Sequence, residues 1–331
     1  MRKTSIGGQA LIEGIMMRGP KISAMAVRNP KGEMVVEEWE NSTKKRPPIC
    51  KWPIIRGVFG FVDSMIIGYK ALMRSAEIAI DEEEEQKAKK AKKENNKKPK
   101  KESADDKKTS NAFFGIIMGI ASVLGMALAI VLFVVLPSFI YSWLEKAIPA
   151  LPLQNAAINS LIKSAFEGLL RIAVLVGYMA VVTLMKDIRR TFMYHGAEHK
   201  TIFCYERGLE LTVENVRNQD RFHPRCGTSF LILMLLVSMF ISFFIDPLFL
   251  LTMGSVPHVL VRSAIKLLLL PINMGIGYEL IKLAGKHDNL FTRIISAPGM
   301  WLQHITVLEP EDDMIECAIT AFLKVVPEEE K

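Results

Sequence analysis

Cysteine and histidine are scarce in this chain of 331 residues, which holds four of the first and six of the second. Cys50, Cys204, Cys226 and Cys317 show no paired spacing, which excludes a disulfide-stapled scaffold and leaves reduced thiols as the expectation. Residues 113 to 140 lack any charged side chain. A stretch of that kind excludes a single soluble globule with evenly distributed surface charge. The first twenty residues lack a continuous apolar run, because Glu13, Arg18 and several glycines interrupt it, so no signal peptide is expected.

Half of the chain is apolar and the mean hydropathy is +0.23. Spanning a hydrocarbon core of ~30 Å takes about 20 helical residues. Four segments approach that: Phe113 to Ile140, Phe166 to Met185 with Glu167 and Arg171 near its start, Ser229 to Leu250, and a weaker Val259 to Leu283 broken by Pro271. The net charge of +7 follows the positive-inside bias better than a nucleic-acid footprint, so no nucleic acid is expected as a partner. Residues 1 to 110 hold 24 of the 42 Lys and Arg, and Lys186 to Arg225 holds eight more, whereas residues 141 to 165 offer only Lys146 and Lys163. The expected location is the cell membrane, multi-pass, with both termini cytoplasmic and the lipid bilayer as partner; an oligomer is compatible with this.

The expected fold is a mainly α membrane protein: about four transmembrane helices, a small N-terminal cytoplasmic β element and a C-terminal amphipathic helix. Residues 1–53 hold a β-hairpin, Ile22 to Val27 and Glu33 to Trp39 around the turn Asn29 to Gly32. Residues 54–80 read as an amphipathic helix, in the interface or against the bundle. Residues 81–110 read as a disordered charged linker or frayed helix. Then follow transmembrane helices 1 and 2 (111–185), a cytoplasmic His/Cys connection (186–228), transmembrane helices 3 and 4 (229–285) and a cytoplasmic C-terminal segment (286–331). In that last segment Pro310 and three acids open a helix with Ile315, Ile319, Phe322 and Val326 on one face.

Chemistry concentrates in the 186–228 connection. Tyr194 to Lys200 contains H-x-x-E-H, which on a helix sets His195 and His199 one turn apart, with Glu198 beside them as a general base. His223 and Cys226 follow within the same connection. Zinc, or another divalent metal, accepts imidazole and thiolate; four protein ligands make a closed structural site, whereas three leave an open, catalytic one. The competing reading is that basic juxtamembrane histidines bind lipid phosphates or one another. The glycine-rich Gly7 to Pro20 segment reads first as a set of turns with a solvated Glu13; the alternative is that it covers the site, with Glu13 as an extra ligand or an acid or base and Arg18 as an anion clamp. Arg225 is a second candidate for substrate binding. Glu279, an acid in the fourth apolar segment, is a third candidate, or else it merely pairs with Lys282 or Arg262.

Five blocks together carry a resemblance: Gly7 to Pro20, Tyr194 to Lys200, Val213 to Val216, His223 to Phe230 and Pro298 to Gln303. They resemble the YqhQ family of bacterial multi-pass membrane proteins of unknown function, from residue 5 to about 325. The family's usual label is predicted metal-dependent enzyme. The resemblance implies metal ligation by His195, His199, His223 and Cys226, with Glu198, Glu13 and Glu279 as acids in family-like blocks. The expected function is a metal-dependent membrane hydrolase acting on an anionic lipid or lipid-linked substrate. A scaffold or assembly factor with a structural zinc, and an oligomeric transporter, are the alternatives.

Overall fold

The computed structural model describes residues 4–41, 47–94, 119–148, 155–254, 258–287 and 289–327. Its strands are β1 (Gly7–Leu11), β2 (Gly14–Arg18), β3 (Ile22–Arg28) and β4 (Met34–Glu40). The helices are α1 (Ile55–Glu94), α2 (Gly119–Ala147), α3 (Ala156–Val182), α4 (Lys186–Glu206), α5 (Val213–Arg217), α6 (Gly227–Met253), α7 (Val259–Leu268), α8 (Leu270–Lys286), α9 (Leu290–Thr306) and α10 (Asp312–Val325). The chain is mostly helical with a small N-terminal antiparallel sheet, as the sequence leads one to expect. It divides into two compact units, one of 1–87, 176–234 and 271–331, the other of 88–175 and 235–270.

In the first unit the strands form an antiparallel meander in the order β1-β2-β3-β4. Asn29 shapes the β3–β4 turn, its side-chain oxygen accepting from the N–H groups of Lys31 and Glu33, with Gly32 at φ 84°. The expected hairpin is therefore present. The sequence reading missed β1 and β2, taking their glycines for turns, because glycine is a poor strand former. Here both faces of the sheet are covered, so the usual polar alternation is absent. Ile15, Met17, Ala24 and Ala26 pack with Tyr194 and Ala197 of α4 and with Met314, Ile315 and Phe322 of α10. Leu11, Met16, Met25 and Val27 pack on the other face with Ala71 and Ile67 of α1. Ile315 and Phe322 are fully buried, each stabilising the docked helix by roughly 1.5–3 kcal/mol.

Helix α1 runs on to Glu94, past the expected end at 80; the rest of the charged segment lies outside the described residues, as do 113–118 of the first expected span. Helix α9 was not anticipated, because Pro298 sits inside it and an interior proline ordinarily costs ~3 kcal/mol. Its N-terminus is secured by a capping box between Asn289 and Thr292.

The second unit is a helical assembly with a charged interior. Glu167 on α3 is fully buried; Ser138 donates to its Oε1 at 3.0 Å, Arg171 to its Oε2 at 3.2 Å, and Arg262 and Lys266 of α7 approach at 3.4 and 2.5 Å. Asp246 accepts from Ser160 at 2.9 Å and pairs with Arg262 at 3.1 Å. Glu167 and Arg171 are thus interior groups of this unit. Among the described residues, three helices are long and apolar enough to cross a membrane: Gly119–Ala147, Ile158–Val182 and Gly227–Met253. A fourth is reached only if Val261–Leu268 and Leu270–Lys286 count as one broken span.

Candidate metal centre

Helix α4 sets the site. Its one glycine in the motif, Gly196, lies where a Cβ would overlap the carbonyl oxygen of Leu308. That close approach brings the segment between α9 and α10 down onto the helix, with the Leu308 N–H donating to the Phe192 carbonyl at 3.0 Å. With His195 one residue before Gly196 and His199 three after, one turn apart from each other, the helix presents two imidazoles with ring centroids 4.5 Å apart.

Both imidazoles are oriented by backbone. His195 Nδ1 is 2.9 Å from the Thr306 carbonyl oxygen and His199 Nδ1 is 2.6 Å from that of Arg221. A carbonyl only accepts, so each Nδ1 carries its proton and each Nε2 is left as the reactive nitrogen. His195 Nε2 lies 3.1 Å from Cys226 Sγ. One donor atom from each of His195, His199 and Cys226 lies within 4.8 Å of the other two. Ligands of one tetrahedral zinc sit about 3.3–3.8 Å apart, at metal distances of ~2.0–2.3 Å, so this set stands within roughly an ångström of the spacing an ion requires. The donor chemistry fits as well, two imidazoles and a thiolate with backbone carbonyls behind the rings.

Without an ion the charges balance through a proton. Burial disfavours imidazolium at His195, yet the adjoining Cys226 thiolate holds its pKa up at about 9. Burial likewise opposes the thiolate, but His195 and His199 bring Cys226 well below the ordinary thiol value. A divalent ion would replace that shared proton.

Glu198 is buried at the same cluster. Burial pushes its carboxyl above the usual range, against the pull of His195, His199 and a hydrogen bond from the Gly8 N–H. A Cβ on Gly8 would lie 2.8 Å from Glu198 Cγ and Cδ, so β1 passes directly over the acid and a side chain there would displace the carboxyl. Glu198, His199 and Cys226 line a cavity of about 750 Å³.

His223 is held apart from the three donors. Its Nδ1 accepts from the Arg225 N–H at 3.2 Å, its Nε2 is 3.8 Å from Glu206, and its ring centroid is 5.6 Å from that of His199. It lines the cavity without completing the ligand set. Arg225 also lines the cavity, but its guanidinium is engaged by Glu206 and the Thr4 carbonyl. Arg18 hydrogen-bonds Ser64 at 3.4 Å beside a separate cavity of about 310 Å³ that it lines with Gly7 and Gly8. The structure does not bring Glu13 to the cavity: at φ 51° in the β1–β2 turn, it takes two hydrogen bonds from Arg190 at 2.6 and 2.7 Å. Gly7 and Gly8 of the same segment do line the cavity, while Glu13 instead ties the sheet to α4. Glu279 pairs with Arg56 of α1, not with Lys282 or Arg262.

Residues that sequence reasoning missed hold the loop before α6. The fully buried Gln303 accepts from the His223 N–H at 2.8 Å and donates to the His223 carbonyl at 2.8 Å and to Ser229 Oγ at 3.0 Å. Its signal was a glutamine inside an otherwise apolar helix face. The carbonyls of Thr306 and Arg221 left none, because a backbone acceptor has no side-chain signature.

The family model described as "Protein of unknown function (DUF1385)" matches residues 52–328. The chain is 31% identical over 322 residues to the uncharacterized protein YqhQ of Bacillus subtilis (strain 168), covering 96% of this chain and 90% of that protein. No solved structure matches it.

Proposed function

The chain belongs to the DUF1385 family, the YqhQ-like family its motifs resemble, and from that premise we propose that it is a metal-dependent hydrolase working at the cytoplasmic face of a membrane. One observation carries the reading: two imidazoles, each with Nδ1 turned to a backbone carbonyl, converge with Cys226 Sγ. His195, His199 and Cys226 would hold the ion, zinc by its affinity for imidazole and thiolate. Zinc in that position supplies Lewis acidity and acidifies water at neutral pH. Three protein ligands, with His223 turned to Glu206 and Arg225, favour an open site over a closed structural one. Glu198, buried with a raised pKa, holds and returns a proton as general base and acid. Gly8 positions that carboxyl, and Gln303 fixes the loop that carries His223 and Cys226. The three or four apolar helices support the membrane location, and the Lys/Arg distribution supports the cytoplasmic side.

Glu198→Gln is expected to keep its zinc while hydrolysis falls by roughly 10²- to 10⁴-fold, read by metal analysis beside a screen of ester and phosphoester substrates. Loss of zinc in that variant would contradict the assigned role. A second reading, a thiolate nucleophile without metal, is favoured by Cys226 standing directly before α6 within 3.1 Å of His195. Under that reading His199→Ala retains turnover and alkylation of Cys226 abolishes it; under the metal reading His199→Ala is inactive.

A further inference from the structure

Helix α9 has two unlike sides. One holds Thr292, Gly299, Leu302 and Gln303, all buried. The other holds Leu290, Phe291, Ile294 and Trp301, which at 3.6 residues per turn fall within an arc of about 100°. All four are exposed, from 57% at Phe291 to 75% at Leu290. A contiguous apolar stripe of that kind marks an interaction surface, because in water its burial energy is forgone. The setting of α9 decides which surface. Its buried side seats on the first turn of α6: a Cβ on Gly299 would lie 2.4 Å from Ser229 Cβ, and Gln303 donates to Ser229 Oγ at 3.0 Å. Helix α6 is itself a candidate span, so its first turn stands where such a helix leaves the hydrocarbon. Helix α9 also follows α8 directly, after 287–289, and α8 belongs to the broken candidate span. The stripe is therefore held at the level where two candidate spans end. Trp301 lies toward one end of it, and an indole, apolar in body and polar at its N–H, suits the headgroup level. A second copy of the chain fits the stripe poorly, since a stable dimer engages about 20–30 residues a side and a bilayer needs no matching surface.

We propose that α9 lies in the membrane interface, with Leu290, Phe291 and Ile294 among lipid acyl chains and Trp301 at the level of the headgroups. The occupant of the stripe is the bilayer itself. This inference does not rest on the metal-dependent hydrolase reading and stands or falls apart from it. It does bear on how the site is reached. A cavity of about 640 Å³ is lined by Met300 and Trp301 of α9 and by His223 and Arg225 of the loop before α6. His223 and Arg225 also line the cavity at the metal cluster. Trp301 belongs both to the stripe and to the lining of the 640 Å³ cavity, so with α9 in the interface that cavity borders the headgroup layer.

The test uses Trp301 as its own probe. The chain holds four tryptophans, Trp39, Trp52, Trp143 and Trp301, so Trp39→Phe/Trp52→Phe/Trp143→Phe leaves Trp301 alone. The full chain carrying these changes is reconstituted into phosphatidylcholine vesicles, either plain or brominated on the acyl chains near the headgroup or near the chain end. Trp301 emission is expected to fall roughly twofold with bromines near the headgroup, and by less with bromines near the chain end. Should the triple variant fail to fold, Trp301→Phe in the otherwise unchanged chain reads the same contact, as a loss of lipid-quenchable emission. Equal emission in brominated and plain vesicles overturns the proposal, as does quenchable emission that Trp301→Phe leaves unchanged. Unquenched Trp301 together with a dimer in the same vesicles overturns it and assigns the stripe to a second copy of the chain. Stronger quenching from the chain end overturns it too, since that would set Trp301 in the hydrocarbon interior.

Discussion

At the scale of single residues, Glu206 links the site to pH. Burial raises its carboxyl, but contacts from His223, the Thr4 N–H and Arg225 outweigh that and bring it to about 2. A carboxyl lower in the folded than in the unfolded chain contributes stability that is present above the unfolded value of about 4.3 and lost as pH falls toward the folded one. Thermal melts are therefore expected to lose on the order of 2 kcal/mol between about pH 5 and pH 2 through this group, and Glu206→Gln to flatten that part of the profile. An unchanged profile in Glu206→Gln would contradict the assignment. Gly196→Ala makes a second residue-scale expectation. In an exposed helix the change stabilises by about 1 kcal/mol, but here the Cβ meets the Leu308 carbonyl, a backbone atom that cannot step aside cheaply. The melting temperature is expected to drop, by a net cost of about 1–3 kcal/mol, and a rise would show that the 307–310 segment does not pack on α4.

Among the elements, α3 and α7 are joined by charge in an apolar setting. Glu167 answers Arg171, Arg262 and Lys266, and removing its charge takes the paired carboxylate from Arg171 and Lys266 and leaves Arg262 with Asp246. Glu167→Gln is expected to destabilise the protein by roughly 3–5 kcal/mol, visible in denaturation of the detergent-solubilised protein; a loss below 1 kcal/mol would mean that the cations are satisfied from elsewhere. The individual charges were legible in the sequence, but their meeting was not, because Glu167 and Lys266 lie 99 positions apart and no periodicity reports a contact of that range. Helix α10 was legible because Ile315, Ile319, Phe322 and Val326 repeat at helical spacing. Strands β1 and β2 were not, since glycines and two-sided burial erase the alternation that marks a strand. The H-x-x-E-H spacing placed His195 and His199 together on local geometry alone. It could not separate His223 from Cys226, three residues apart: the Gln303 contacts and the Glu206–Arg225 pair decide that one faces the cluster and the other turns from it.

For the whole molecule, a sheet clamped between α1 on one face and α4 with α10 on the other carries a buried His/Cys/Glu cluster at the edge of a cavity, and the apolar helices supply the setting expected of a membrane protein. The central claim is that His195, His199 and Cys226 bind one divalent ion. Its most direct test is metal analysis by mass spectrometry of the detergent-purified chain, as wild type and as His199→Ala, Cys226→Ser and His223→Ala. About one zinc per chain in the wild type, lost in His199→Ala and Cys226→Ser and kept in His223→Ala, is the predicted result. A wild-type protein that remains metal-free after reconstitution with zinc would contradict it.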